Sequence, residues 1–269
     1  MSGTRSGLLA TEKPLLGLDF IRNTEKEIAG IIADEPIPVG EGPRAVLTAN
    51  LDHIVTMDRR PEFRSAYGRA WLITADGMPV YAYGAWRGAG LPGRVTGADL
   101  FARLIPLLRP GEHRCFFVTP TDEVGAELMA ILRDRGFRSS EIGFVTPAFG
   151  FERDAARSAE LIDEIARVRA THLFFGLGAP KSELWTDKHR EQLGECYVLH
   201  VGAALEFFAG HKARAPRLLQ VTGLEWLWRW ALEPRRLFRR YFVDSWRFLA
   251  IVRRDLAGQL APASTPVRS

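Results

Sequence analysis

The chain has 269 residues, 46% hydrophobic and 25% charged, the balance of a globular protein with one large domain, or one domain plus an appendage. Its two cysteines, Cys115 and Cys196, sit in apolar runs, which argues against a disulfide framework and for a reducing compartment. The net charge of +4 is uneven: residues 212–254 hold eleven Lys or Arg against three acids, so the rest of the chain is net negative.

Residues 1–14 carry no periodic pattern and no long apolar core of a signal peptide. A short strand is expected over 15–21, a helix over 24–34 and a Pro- and Gly-rich loop over 35–44. A rhythm then begins. Short apolar strands are predicted over 45–48, 71–74, 115–119, 142–146, 171–176 and 197–201. Helical patterns lie between them, over 98–108, 122–135, 154–168 and 181–192. Thr96 is placed to cap the helix that starts at Gly97, with Asp99 as its acidic partner. Strands alternating with helices of this length predict an α/β fold with a mostly parallel sheet.

Beyond residue 211 the composition changes. A helix is expected over 218–232, interrupted at Pro234, and another over 235–256. Four of the seven tryptophans (Trp226, Trp228, Trp230 and Trp246) fall here among the arginines. Arg and Trp together suit a layer that is apolar on one side and anionic on the other, such as a lipid headgroup region. No run approaches the ~18 apolar residues of a spanning helix, so membrane contact is expected to be peripheral and cytoplasmic. The alternative is an aromatic stripe packed on the body with a solvated charged face. Residues 257–269, small and polar with two prolines, are expected to lack structure.

Parallel α/β sheets bind ligands beyond the carboxyl ends of their strands. The polar segments predicted there are Thr48-Ala49-Asn50, Asp76-Gly77, Thr119-Pro120-Thr121, Phe149-Gly150 and the run from Gly176 through Gly178 to Lys181. The last puts flexible backbone before a helix N-terminus, which suits an anion, or else forms a tight turn with a solvated Lys181. Asp76 follows an apolar strand, where a carboxylate can take a proton from an attacking hydroxyl; an Asp-Gly turn is the other reading. Thr48 and Asn50 can bond a sugar or phosphate, or cap the next helix. No histidine pair has metal-ligand spacing, no Asp-x-Asp element is present, and no Gly-x-Ser-x-Gly elbow occurs.

The motifs Leu47-Thr48-Ala49-Asn50, Ala75-Asp76-Gly77, Arg94-Val95-Thr96-Gly97-Ala98-Asp99 and Gly178-Ala179-Pro180-Lys181-Ser182-Glu183 occur in order. They are followed by Val201-Gly202-Ala203, Arg214-Ala215-Pro216, Gly223-Leu224-Glu225-Trp226 and Glu233-Pro234-Arg235-Arg236. Together they resemble, over about residues 15–256, the bacterial glycosyltransferase family of teichoic-acid and enterobacterial-common-antigen N-acetylmannosamine-type transferases, which includes xanthan-type exopolysaccharide enzymes. The resemblance implies a Rossmann-like α/β catalytic domain over 15–211 and a basic helical appendage over 212–256. It implies inverting transfer from a UDP-sugar to a polyprenyl-diphosphate-linked glycan, with no tightly bound metal or cofactor, at the cytoplasmic face of the bacterial inner membrane.

Carried over residue by residue, the resemblance makes Asp76 the general base and puts Thr48 near the reacting hydroxyl. It implies substrate contacts at Asn50, Arg94, Thr96, Asp99, Gly176, Gly178, Lys181, Glu183, Gly202 and Glu206. Arg214, Arg217, Arg235, Arg236, Arg239 and Arg240 are implied to meet the acceptor diphosphate or an anionic membrane. The chain departs from the family pattern at Leu51, Ser182, Ala203 and Glu206, so glucose and a uronic acid stand beside N-acetylmannosamine as donor sugars. Two other classes stay open: a nucleic-acid binder using the basic region, which lacks any recognition motif, and an NAD-dependent oxidoreductase, which lacks Gly-x-Gly-x-x-Gly after the first strand.

Overall fold

The structure is a computed structural model that describes residues 7–216, 218–219, 227–228 and 244–263. Its strands are β1 (Arg44–Ala49), β2 (Leu72–Ala75), β3 (Cys115–Val118), β4 (Ile142–Val145), β5 (His172–Phe175) and β6 (Tyr197–His200). They form one sheet in the order β2-β1-β6-β5-β3-β4, parallel at every pairing. Every side chain of β2, β3, β5 and β6 is buried, as expected for short parallel strands covered on both faces.

The helices are α1 (Glu25–Asp34), α2 (Leu51–Arg59), α3 (Pro61–Gly68), α4 (Met78–Trp86), α5 (Gly97–Leu104), α6 (Asp122–Asp134), α7 (Ala155–Val168), α8 (Lys181–Lys188), α9 (Ala204–Phe208) and α10 (Asp244–Leu256). Strand side chains alternate between faces. Val46, Leu72, Phe117, Phe174 and Leu199 join the core with α1, α5, α6 and α9. On the other face, Leu47, Ile73 and Ala75 meet α2, α3, α4 and α10, while Phe116, Leu173, Phe175 and Val198 meet α7 and α8. Adjacent strands β1 and β6 therefore lead to helices on opposite faces, α2 and α9. Their carboxyl ends are thus a switch point of the sheet, the place where such sheets take ligands.

Several expectations shift. Residues 15–21 form no strand: Leu15 and Leu18 exchange backbone hydrogen bonds of 2.9 Å around a turn, and Leu16 and Gly17 have positive φ. Leu15, Leu16, Leu18 and Phe20 then bury side by side in the core over β1 and β2. The stretch 51–68 makes two helices, the first capped by Asn50, as one of its two readings had it, and the second, opened by Pro61, not expected. Helices α5 and α8 end earlier than their periodicity suggests, each followed by a 3₁₀ turn.

Helix α10, within the expected appendage, buries Phe248 and Ile251 in the same core as α2 and α4. Asp244 accepts from Arg59 at 2.6 Å, Asp255 pairs with Arg87 at 3.2 Å, and Arg254 pairs with Asp58. Residues 257–263, in the stretch expected to lack structure, run back to the N-terminal turn, where Ala263 N–H donates to Gly17 O at 2.7 Å. Of the expected helix over 218–232, residues 220–226 and 229–232 lie outside the described residues, as does the first part of the next, 235–243.

Candidate active site

The ends of β1 and β2 fix the floor. Asp76 N–H donates to Ala49 O at 2.9 Å, one step past the Ala49–Ala75 pairing. This bond holds the half-buried Asp76 beside the end of β1. Asn50 Oδ1 accepts from Asp52 N–H at 3.0 Å and His53 N–H at 3.2 Å, so its side chain caps α2. A Cβ on Gly77 would stand 3.1 Å from Asn50 Cβ, which is why the two turns can close on each other. Thr48 is buried one residue before the end of β1.

The start of α5 lies across this floor. Val95 N–H donates to Ala75 O at 2.9 Å, and Thr74 Oγ1 donates to Val95 O at 2.8 Å. Thr96 Oγ1 accepts from Asp99 N–H at 3.0 Å and donates to Asp99 Oδ2 at 2.7 Å. A Cβ on Gly97 would stand 3.2 Å from Val201 Cα and 3.4 Å from Thr48 Oγ1. The helix N-terminus thus rests directly on the ends of β1 and β6. Arg214 Nη1 donates to Asp99 Oδ1 at 2.6 Å. Burial raises the Asp99 pKa, but hydrogen bonds from Arg214 and Thr96 and the charges of Arg214 and Arg94 outweigh it, so the net shift is downward.

The next strand ends complete the rim. Gly202 N–H donates to Phe175 O at 3.1 Å with φ of +53°, and Glu206 pairs with Lys212 at 2.8 Å. Gly176 N–H donates to Val118 O at 2.8 Å, and a Cβ there would meet Leu205 Cδ1 at 2.6 Å. Gly178 faces open space. Lys181 opens α8, its Nζ 4.8 Å from the centroid of the exposed Phe149 ring.

Beneath the rim are buried polar residues of which the sequence pointed only to Glu183. Tyr67 of α3 lies 2.7 Å by its hydroxyl from His53 Nδ1. Burial, then the charges of Glu183 and Asp76, push the Tyr67 pKa well up. Glu183 is buried and accepts from Ser182 Oγ at 3.0 Å; burial pushes its pKa up to about 7 against the hydrogen bonds of its own amide and of Ser182. His200, at the end of β6, is buried and held neutral, its pKa lowered to about 3 by burial and by His53. A lone Tyr on one helix and a His ending one strand have no shared spacing in sequence, so only the fold joins them.

Thr48, Asn50, Asp76, Arg94, Thr96, Asp99, Gly202 and Arg214 therefore gather at the ends of β2, β1 and β6, and Gly176, Gly178 and Lys181 continue along β5. Arg217, Arg235, Arg236, Arg239 and Arg240 lie outside the described residues. Among the described residues no three His, Cys, Asp or Glu side chains converge as a metal-binding cluster, and no helix is long and apolar enough to cross a membrane.

Comparison with known proteins gives a family and relatives. The profile of the glycosyl transferase WecG/TagA/CpsF family matches residues 14–261. An N-acetylglucosaminyldiphosphoundecaprenol N-acetyl-beta-D-mannosaminyltransferase of Bacillus spizizenii is 26% identical over 234 residues, covering 87% of this chain and 88% of its own. A Staphylococcus aureus protein of the same description is 24% identical over 225 residues, 84% of this chain and 86% of its own.

Proposed function

The chain belongs to the glycosyl transferase WecG/TagA/CpsF family, and on that footing we propose that it moves a sugar from a UDP-sugar to a polyprenyl-diphosphate-linked glycan with inversion at the anomeric carbon. The observation that carries this reading is one rim holding both a fixed carboxylate and fixed cations. Asp76 is pinned to β1 through Ala49, while Arg214, braced by Asp99, and Lys181 lie at neighbouring strand ends. Family membership sets aside the oxidoreductase reading.

The acceptor hydroxyl attacks the anomeric carbon while Asp76 takes its proton. Thr48, one residue from the end of β1, orients that hydroxyl. The departing diphosphate gains one unit of negative charge as its oxygen leaves the anomeric carbon, and donors fixed in advance stabilise it without reorganising. Lys181, Arg214, Arg94 and the N-terminus of α5 are those donors. The two relatives are described as acting on N-acetylglucosaminyldiphosphoundecaprenol, which supports a lipid-linked diphosphate as acceptor. The donor sugar is glucose, N-acetylmannosamine or a uronic acid.

The enzyme works at the cytoplasmic face of the bacterial membrane, bound peripherally. The outward side of α10 supports this: Trp246 is 74% and Leu249 52% exposed, with Arg247 and Arg253 exposed beside them. Each basic residue near an anionic surface contributes about 1 kcal/mol. Sedimentation with anionic and with neutral vesicles tests the membrane claim, and equal, negligible binding to both would refute it. Calorimetry against UDP-glucose, UDP-N-acetylmannosamine, UDP-glucuronic acid and UDP tests the donor class. One UDP-sugar should bind more tightly than UDP itself, and binding of none in the presence of acceptor and anionic vesicles would overturn the reading.

A further inference from the structure

A cavity lies at the C-terminal end of α4, used by none of the roles above. It holds about 210 Å³, and its walls include Glu12, Lys13, Arg22, Arg87 and Gly88. Three of these residues are cations and one is an acid, so the cavity is net positive. Glu12 neutralises little of that charge. Its Oε1 is 3.9 Å from Arg22 Nη1 and its side chain is 86% exposed, where water and salt screen the pair. Arg22 Nε is buried and meets no hydrogen-bond acceptor among the described residues. A buried donor on a charged group is costly when left unpaired, and an arriving acceptor recovers that cost.

The two guanidinium groups are set in place by the fold. Arg87 Nη1 donates to Tyr83 Oη at 2.6 Å and to Asp255 Oδ2 at 3.2 Å. The Arg22 backbone N–H donates to Leu9 O at 2.6 Å. Its side chain lies against Gly90, where a Cβ would stand 3.2 Å from Arg22 Cδ and 3.3 Å from Nη1. Guanidinium groups positioned in advance suit a phosphate, whose oxygens accept from their planar fork of N–H donors. Lys13, exposed, adds a third positive charge.

The border of the cavity points to a lipid as the source of that phosphate. Trp86, the neighbour of Arg87, is 70% exposed, its ring 6.2 Å from that of Tyr83. Asp255 accepts from both Tyr83 and Arg87, which docks the end of α10 on the last turn of α4. Along α10, Trp246, Leu249, Arg253 and Leu256 are exposed and follow one another at three- and four-residue steps, so they share one side of the helix. This mostly apolar stripe ends at Leu256, beside the Asp255 that reaches the cavity wall. Apolar and aromatic surface next to fixed cations matches the layer where acyl chains meet phosphates.

We propose that this cavity binds the phosphate of an anionic phospholipid, with Trp86 and the exposed stripe of α10 lying in the surrounding membrane interface. The proposal rests on the peripheral-membrane reading and deepens it by placing a headgroup site on the body of the fold. Helix α4 begins two residues after Asp76 and ends at the cavity, a length of about 13 Å for its nine residues. A headgroup held at that end fixes how far Asp76 stands from the layer that also carries a lipid-linked diphosphate.

The test is sedimentation of the full chain with vesicles of phosphatidylcholine, pure or containing phosphatidylglycerol. Lys13→Gln/Arg22→Gln should bind the phosphatidylglycerol vesicles about 30-fold more weakly than wild type, at about 1 kcal/mol for each cation. A charge-matched variant, Arg133→Gln/Lys188→Gln, removes two exposed cations of α6 and α8 and should bind as wild type does. Lys13→Glu, at an exposed position, decides the matter if the first double variant fails to fold. Equal binding by wild type and the Lys13/Arg22 variant, or an equal loss in the charge-matched variant, would overturn the site and leave the membrane reading standing. Inorganic phosphate that binds the chain in calorimetry, with vesicle affinity indifferent to Lys13 and Arg22, would assign the cavity to a free anion and overturn the lipid proposal. A wild-type chain that binds no phosphatidylglycerol vesicle would refute the membrane reading itself, and the site with it.

Discussion

Arg214 donates to Asp99 across 2.6 Å and so ties the first residues of the basic C-terminal region to the first turn of α5. The bond matters because α5 begins on the ends of β1 and β6. It lets the C-terminal region and the crevice floor be positioned by one contact. Arg214→Ala should therefore lower stability at pH 7 by roughly 1–2 kcal/mol, since the pair is partly exposed. The folded-state pKa of Asp99 is depressed, so this contribution is complete above the ordinary carboxyl value and is lost as pH falls through the folded one. Denaturant titrations of both proteins at pH 7 and in acid check this; a deficit that persists unchanged in acid would show that Arg214 acts through something other than Asp99.

Gly97→Ala places a methyl 3.2 Å from the Val201 backbone and 3.4 Å from Thr48 Oγ1. Backbone cannot yield as a flexible side chain does. The substitution should cost about 1–3 kcal/mol and reduce transfer in a protein that still folds, because the start of α5 must lift from Thr48. Thermal melting and turnover on one preparation measure both. Wild-type turnover would show that the crevice tolerates a displaced α5.

Stability should respond to Glu183 in the alkaline direction. Its folded pKa, about 7, lies above the ordinary 4.5, so its stabilising contribution is complete below pH 4.5 and is lost as pH rises to 7. Above pH 7 the buried charge costs roughly 3 kcal/mol, which Glu183→Gln removes. The variant should melt above wild type at pH 8 and match it near pH 4. Equal melting at pH 8 would place the charge in solvent.

Acid should act through His172. His172 Nε2 donates to Ile32 O at 3.1 Å and the neighbouring His113 Nε2 to Ala33 O at 2.9 Å, so two buried rings cap the last turn of α1. Burial lowers the His172 pKa to about 3, helped by His113 and opposed by the bond to Ile32. Its contribution is complete above pH 6.5 and is lost as pH falls toward 3. His172→Gln should thus be less stable at pH 7, by about 1–3 kcal/mol, yet flatter in its acid unfolding. An acid transition as steep as wild type would assign acid lability to other groups.

The features legible in the sequence were the local ones. Short apolar strands, the cap at Thr96, and the polar residues just past each strand depend on near neighbours, and they fixed the sheet and the rim where Asp76 sits. The turn at Leu16–Gly17 was not legible, because buried leucines read alike in a strand and a folded-back loop. Nor were the Arg214–Asp99 bond and the small cavity lined by Glu183 and His200, whose walls meet only when α3, α8 and β6 pack together. Glu183 came through resemblance as a substrate contact, while its burial came from the fold.

The most direct measurement of the central claim is product formation by wild type and Asp76→Asn, with a UDP-sugar and an N-acetylglucosaminyl diphospholipid, alongside calorimetric UDP binding. Wild type should release UDP and extend the lipid-linked sugar. Asp76→Asn should bind UDP as well as wild type and turn over about 10²–10⁴-fold more slowly. Undiminished turnover by the folded variant would contradict the assignment of Asp76 as the base on which the account rests.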